Sequence, residues 1–77
     1  MKIRVRCFTG MRRYAPDDKA DFPLEMTEGA TVRELLETLQ IPADPWPFIA
    51  VNAQKVEANG ALHDGDDVVM FTPMEGG

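Results

Sequence analysis

Thr31-Val32-Arg33-Glu34-Leu35-Leu36-Glu37-Thr38-Leu39 is the stretch that decides the fold. Its first residue can accept a hydrogen bond from the free amides of a helix start, and Glu34, three residues on, can reach back to the Thr31 amide. That reciprocal arrangement is a capping box. Val32, Leu35, Leu36 and Leu39 then recur at helical spacing and make one apolar stripe. Pro42 limits the helix, because the residue before a proline is pushed out of the helical region. One amphipathic helix therefore lies in the middle of the chain, and what flanks it determines what it covers.

Before it, Lys2 to Phe8 alternates strictly, with Ile3, Val5 and Cys7 on one side and Lys2, Arg4 and Arg6 on the other. This is the period of a half-buried strand. Thr9 to Ala20 contains Gly10, Pro16 and the Asp17-Asp18 pair and reads as a loop. Asp21 to Met26 predicts a second strand with Phe22, Leu24 and Met26 on one face. Pro23 confines it to an edge or to an unpaired position, since proline donates no amide hydrogen. The two strands are too closely linked for a parallel crossover and form a hairpin.

After the helix, Ala43 to Pro47 is a proline-studded loop whose Trp46 is expected to pack over the edge of the core. Phe48 to Ala53 predicts a third strand, with a polar turn beginning at Asn52. His63-Asp64-Gly65-Asp66 is a turn cluster, and Val68 to Thr72 predicts the closing strand. A hairpin, one helix and returning strands give an α+β fold, a sheet with a helix packed across it.

Seventy-seven residues make a single domain, too small for a deep enclosed active site. The net charge of −5 argues against nucleic acid as a partner, because phosphate recognition needs a basic footprint. No apolar run reaches the roughly 20 residues of a membrane span, and the N-terminus lacks the apolar core of a signal peptide. Cys7 is the single cysteine, which excludes an internal disulfide and fits a reducing cytoplasm. Its alternation with Ile3 and Val5 makes it a packed, inert thiol. The lone histidine, His63, sits beside a turn with no nucleophile in reach. The aspartates around Gly65 lack the ligand spacing of a calcium loop, so no metal site is expected.

What remains is the end: Phe71-Thr72-Pro73-Met74-Glu75-Gly76-Gly77. Proline stops strand pairing and favours an extended backbone. Two glycines leave the final carboxylate without side-chain bulk, at the cost of disorder. Six extended residues reach about 20 Å. Such a tail can thread a narrow cleft and deliver a carboxylate to a centre in another protein. The expected organisation is a domain over residues 1–71 and a flexible tail over 72–77.

The chain resembles the MoaD/ThiS family of sulfur carriers, and stands closer to MoaD, the small subunit of molybdopterin synthase. The matching segments are Ile3-Arg4-Val5-Arg6-Cys7-Phe8, Gly29-Ala30-Thr31-Val32-Arg33-Glu34-Leu35-Leu36, Val51-Asn52, and Leu62-His63-Asp64-Gly65-Asp66-Asp67-Val68 running into Phe71-Thr72-Pro73-Met74-Glu75-Gly76-Gly77. The resemblance implies the β-grasp fold of ubiquitin, a mixed sheet of four to five strands with one main helix. It also implies a carrier with no active site and no bound cofactor of its own. An ATP-using, ubiquitin-activating-type adenylyltransferase (MoeB/ThiF-like) would adenylate the Gly77 carboxylate. A sulfur donor would then displace AMP to leave a thiocarboxylate, with Gly76 giving steric clearance. A large molybdopterin synthase subunit (MoaE-like) or another acceptor enzyme would take the sulfur. Alternatives within the resemblance are thiamine or cysteine synthesis, or attachment to proteins as a modifier.

Docking would use apolar surface next to the tail. If Val68 and Met70 face the core, alternation turns Val69 and Phe71 outward, and Phe8 shares the outward parity of Arg4 and Arg6. First and last strands are neighbours in a β-grasp sheet, which would join Phe8 to Phe71. Pro73 and Met74 would extend that surface along the tail.

Overall fold

The computed structural model describes residues 1–16, 19–42 and 47–71. Its strands are β1 (Lys2–Cys7), β2 (Asp21–Glu25), β3 (Phe48–Val51), β4 (Gln54–Lys55) and β5 (Asp67–Phe71), and its helix α1 is Val32–Thr38. The five strands form one mixed sheet in the order β2-β1-β5-β3-β4. β1 pairs antiparallel with β2 and parallel with β5, and β3 pairs antiparallel with both β5 and β4. This is the predicted β-grasp arrangement. No helix among the described residues is long and apolar enough to cross a membrane.

The alternation read in β1 holds: Ile3, Val5 and Cys7 are buried. Two rows cross the inner face, Phe22–Val5–Val68 and Cys7–Met70–Ile49. Val32, Leu35 and Leu36 of α1 belong to the same core cluster, with Ile41 and Leu62. Burying each such side chain contributes roughly 1.5–3 kcal/mol.

Both halves of the capping box are present at Thr31 and Glu34. The far end of α1 departs from expectation. The helix stops before Pro42 acts, because Gln40 adopts φ 59°. The Gln40 amide donates to the Glu37 carbonyl and the Ile41 amide to the Leu36 carbonyl, at 3.1 and 2.8 Å. This is a Schellman motif with glutamine in the left-handed position that glycine usually takes.

Two further segments differ from the sequence reading. Thr9–Tyr14, expected as loop, is a 3₁₀ helix that drops Met11 into the core. The third strand does not continue to Ala53. It ends at Val51, and Asn52 and Ala53, at φ 53° and 71°, turn the chain into β4. Two positive-φ residues between paired strands match the twist of a hairpin. Trp46 and Thr72 lie outside the described residues.

Candidate functional site

The end of β5 is where the chain leaves the sheet, and it is central: β1 lies on one side and β3 on the other. Phe8 continues β1 by one residue, its amide donating to the Met70 carbonyl at 2.9 Å. Since Cys7 stands opposite Met70, Phe8 stands opposite Phe71. The expected neighbours are therefore brought to one end of the outer face. Phe8 is the exposed large hydrophobic side chain among the described residues, at 46 %. Val69 and Phe71 are half-buried, alternating along β5 with the buried Val68 and Met70.

The residue that the sequence reading missed is Phe48. It opens β3 opposite Phe71. The two rings stack with centroids 4.6 Å apart and planes 24° from parallel. Such a pair contributes about 0.5–1.5 kcal/mol beyond its buried area. The Lys55 ammonium lies 5.6 Å from the Phe48 ring centroid, a cation–π contact. Phe48 belonged to a predicted strand, but its neighbour is set by the β3–β5 register, which no local pattern reveals. The outer face thus carries a row Phe8–Phe71–Phe48 across three strands. Val69 and Ala50 lie beneath it, paired in the next row.

Farther from this end the outer face is polar and self-satisfied. Arg4 pairs with Asp21 and Arg6 with Asp67, each arginine reaching diagonally past its direct neighbour. The Arg4 guanidinium holds the Asp21 carboxyl below its ordinary range, and Asp21 raises Arg4 in turn. Burial pushes the Cys7 thiol up, which keeps it protonated and unreactive. A shallow cavity of about 470 Å³ opens at the opposite end of β1, between Pro23 and the Asp64-Gly65 turn, away from Phe71.

The aspartates of the turn are occupied by the protein itself. Asp64 accepts from the Lys2 amide at 2.7 Å, and Gly65, at φ 86°, donates its amide to the Lys2 carbonyl at 2.8 Å. Asp66 is buried. It accepts from the His63 amide at 2.8 Å and from Asn52 Nδ2 at 3.0 Å. Asn52 Oδ1 accepts from the Asp67 amide at 3.0 Å. The motif is a clamp that fixes where β5 begins, and hence where it ends. Pro73, Met74, Gly76 and Gly77 lie outside the described residues.

The sequence model of the ThiS family matches residues 5–77. The chain belongs to the ThiS family. As a ubiquitin-like sulfur carrier of ThiS/MoaD type, it has counterparts among solved structures. A Pyrococcus furiosus protein assigned as molybdopterin converting factor, subunit 1, is 29% identical with TM-score 0.77, over 95% of this chain and 98% of that one. Subunit 1 in a complex with subunit 2 of the molybdopterin-converting factor from Helicobacter pylori is 26% identical with TM-score 0.64, over the full length of both chains. Small archaeal modifier protein 1 of Haloferax volcanii shares the fold, with TM-score 0.78 at 16% identity, over 95% of this ThiS-family chain and 98% of that one. No curated protein sequence matches.

Proposed function

We propose that this chain is the small, sulfur-carrying subunit of a molybdopterin synthase, and that Gly77 is its reacting residue. An ATP-using adenylyltransferase of the ubiquitin-activating type joins the Gly77 carboxylate to AMP, releasing pyrophosphate. The mixed anhydride makes AMP a good leaving group, and a sulfur donor displaces it to give a thiocarboxylate. The tail then enters a large synthase subunit, where its sulfur is passed to the pterin precursor. The side chains that perform each step belong to the partners, and Gly76 keeps the approach clear.

The observation that carries this reading is the family match running through residue 77, six residues beyond a sheet that ends at Phe71. The molybdopterin branch is favoured over thiamine or cysteine synthesis by the two converting-factor subunits at 29% and 26% identity. The subunit 1–subunit 2 complex from H. pylori supports a large-subunit partner. Phe8, Val69 and Phe71 supply the docking surface, with Pro73 and Met74 along the tail.

Incubation with the activating enzyme, ATP and a sulfur source should add the mass of one oxygen-to-sulfur exchange. Deleting Gly77 should abolish the exchange without altering the melting curve. A truncated chain that still accepts sulfur defeats the proposal. Conjugates with lysines of other proteins, found without any thiocarboxylate, would point to a modifier instead.

A further inference from the structure

The chain contains two asparagines, Asn52 and Asn59, and the fold treats them oppositely. Asn52 is tied at both side-chain atoms: Nδ2 donates to Asp66 and Oδ1 accepts from the Asp67 amide, each at 3.0 Å. Asn59 is exposed in the turn after β4, and its side chain makes no hydrogen bond among the described residues. Glycine follows it. A Cβ at Gly60 would lie 3.2 Å from the Glu57 carbonyl oxygen and 3.9 Å from Val32 Cγ2, so packing favours a residue without one. The same lack of a side chain leaves the Gly60 nitrogen open to approach by the Asn59 side-chain carbon. This turn also holds the start of α1. The Val32 amide donates to the Gly60 carbonyl at 3.0 Å and the Arg33 amide to the Ala58 carbonyl at 2.9 Å. These are two of the amides that a helix start leaves without an acceptor inside the helix. Thr31 Oγ1 takes a third, that of Glu34. The Gly60 amide itself donates to the Glu57 carbonyl at 3.0 Å. The main chain is therefore pinned on both sides of Asn59.

We propose that Asn59-Gly60 is a site of spontaneous deamidation and isoaspartate formation, gated by local opening at the start of α1. The Gly60 amide gives up its proton and its nitrogen bonds to Asn59 Cγ. The side-chain nitrogen then departs as ammonia, carrying that proton, and a succinimide ring remains. Water opens the ring at Cγ to give aspartate, or at the main-chain carbonyl to give isoaspartate. The sequence of steps consumes only water and needs no oxidant, reductant or enzyme. While the Gly60 amide donates to Glu57 and the carbonyls of Ala58 and Gly60 hold the helix amides, the nitrogen cannot turn onto Cγ. Isoaspartate routes the main chain through Cβ and Cγ, one atom longer, so the two carbonyls no longer meet Arg33 and Val32 together. The product loosens a helix whose Val32, Leu35 and Leu36 belong to the core. It also presents a free α-carboxylate at residue 59, the group that an isoaspartate-specific carboxyl methyltransferase recognises. Asp64-Gly65 can close the same ring, but it is clamped to Lys2 through both the carboxylate and the glycine amide.

The test ages the full chain in mildly alkaline buffer, folded and in urea. Peptide mapping by mass spectrometry follows each site, and methyl transfer from labelled S-adenosylmethionine counts isoaspartate. Asn59 should convert in both samples, about tenfold faster in urea, where the pinned turn is open. Asn52 and Asp64 of the folded chain should stay intact. Thr31→Ala should raise the folded-state rate severalfold by freeing the helix start. Ile49→Val lowers stability by a similar amount elsewhere in the core and should leave the rate at the parent's. The isoaspartyl form, isolated by chromatography, should melt about 5 °C below the parent, whereas Asn59→Asp should melt with it. An Asn59 that survives in urea, or that reacts equally fast folded and unfolded, overturns the proposal. So does equal acceleration by Thr31→Ala and Ile49→Val, which would make global unfolding the gate. The comparison of folded and unfolded parent decides the matter even where a variant does not fold.

Discussion

At the scale of single residues, positive φ at non-glycine positions is where stability is left unclaimed. Ala53 at φ 71° occupies a conformation that costs an L-residue about 1–2 kcal/mol. Ala53→Gly should raise stability by about 0.5–1 kcal/mol in urea titrations, the relief of strain being offset by greater freedom in the unfolded chain. Its neighbour Asn52 tolerates the same region and ties the hairpin to Asp66 and Asp67. Asn52→Ala leaves one oxygen of a buried carboxylate short of a donor and should cost about 2 kcal/mol in the same titrations. These details were hard to read in advance. The strong hairpin signal is asparagine followed by glycine, and here alanine follows. Gln40 hid the helix stop in the same way, by holding a position where glycine would have announced it. The capping box at Thr31, by contrast, is local chemistry and was fully legible. So was Cys7, whose burial should keep it inert to Ellman's reagent until the protein is unfolded.

At the scale of elements, the open edge of β2 shows how one residue sets association behaviour. The Cys7 amide donates to the Ala20 carbonyl and the Met26 amide to the Met1 carbonyl, so bonded pairs fall at odd positions of β1. Pro23 stands opposite Arg4, an even position, and its nitrogen faces the open edge. The edge therefore lacks a central donor and carries Asp21 and Glu25 as well, which blunts strand addition by another chain. Pro23→Thr should fold normally yet show concentration-dependent dimers by light scattering. The expectation that Pro23 belongs at an edge came from the residue type alone. The aromatic row was only half visible: parity placed Phe8 and Phe71 outward, but Phe48 joins them through a register between strands remote in sequence. The 3₁₀ helix escaped because Met11 is a single apolar residue in a polar segment, and one residue makes no period.

For the molecule as a whole, the diagonal Arg4–Asp21 pair gives a pH dependence with a definite sign. Asp21 lies below its ordinary value of 3.8 in the folded state. Its contribution is therefore fully present above about pH 4 and is lost as pH falls through the depressed folded-state value. The parent should lose stability more steeply than Asp21→Asn in this acid window, while the difference between the two stays constant from pH 5 to 8. Equal slopes in acid would remove the pair from the account.

The placing of β5 has a consequence for synthesis. The middle strand, β5, is the last of the five to be made, so the β1–β2 and β3–β4 ribbons share no strand until it arrives. An isolated two-stranded ribbon is at best marginal in water. The nascent chain should therefore stay open to proteases until β5 has emerged, and complete its sheet in one step after that.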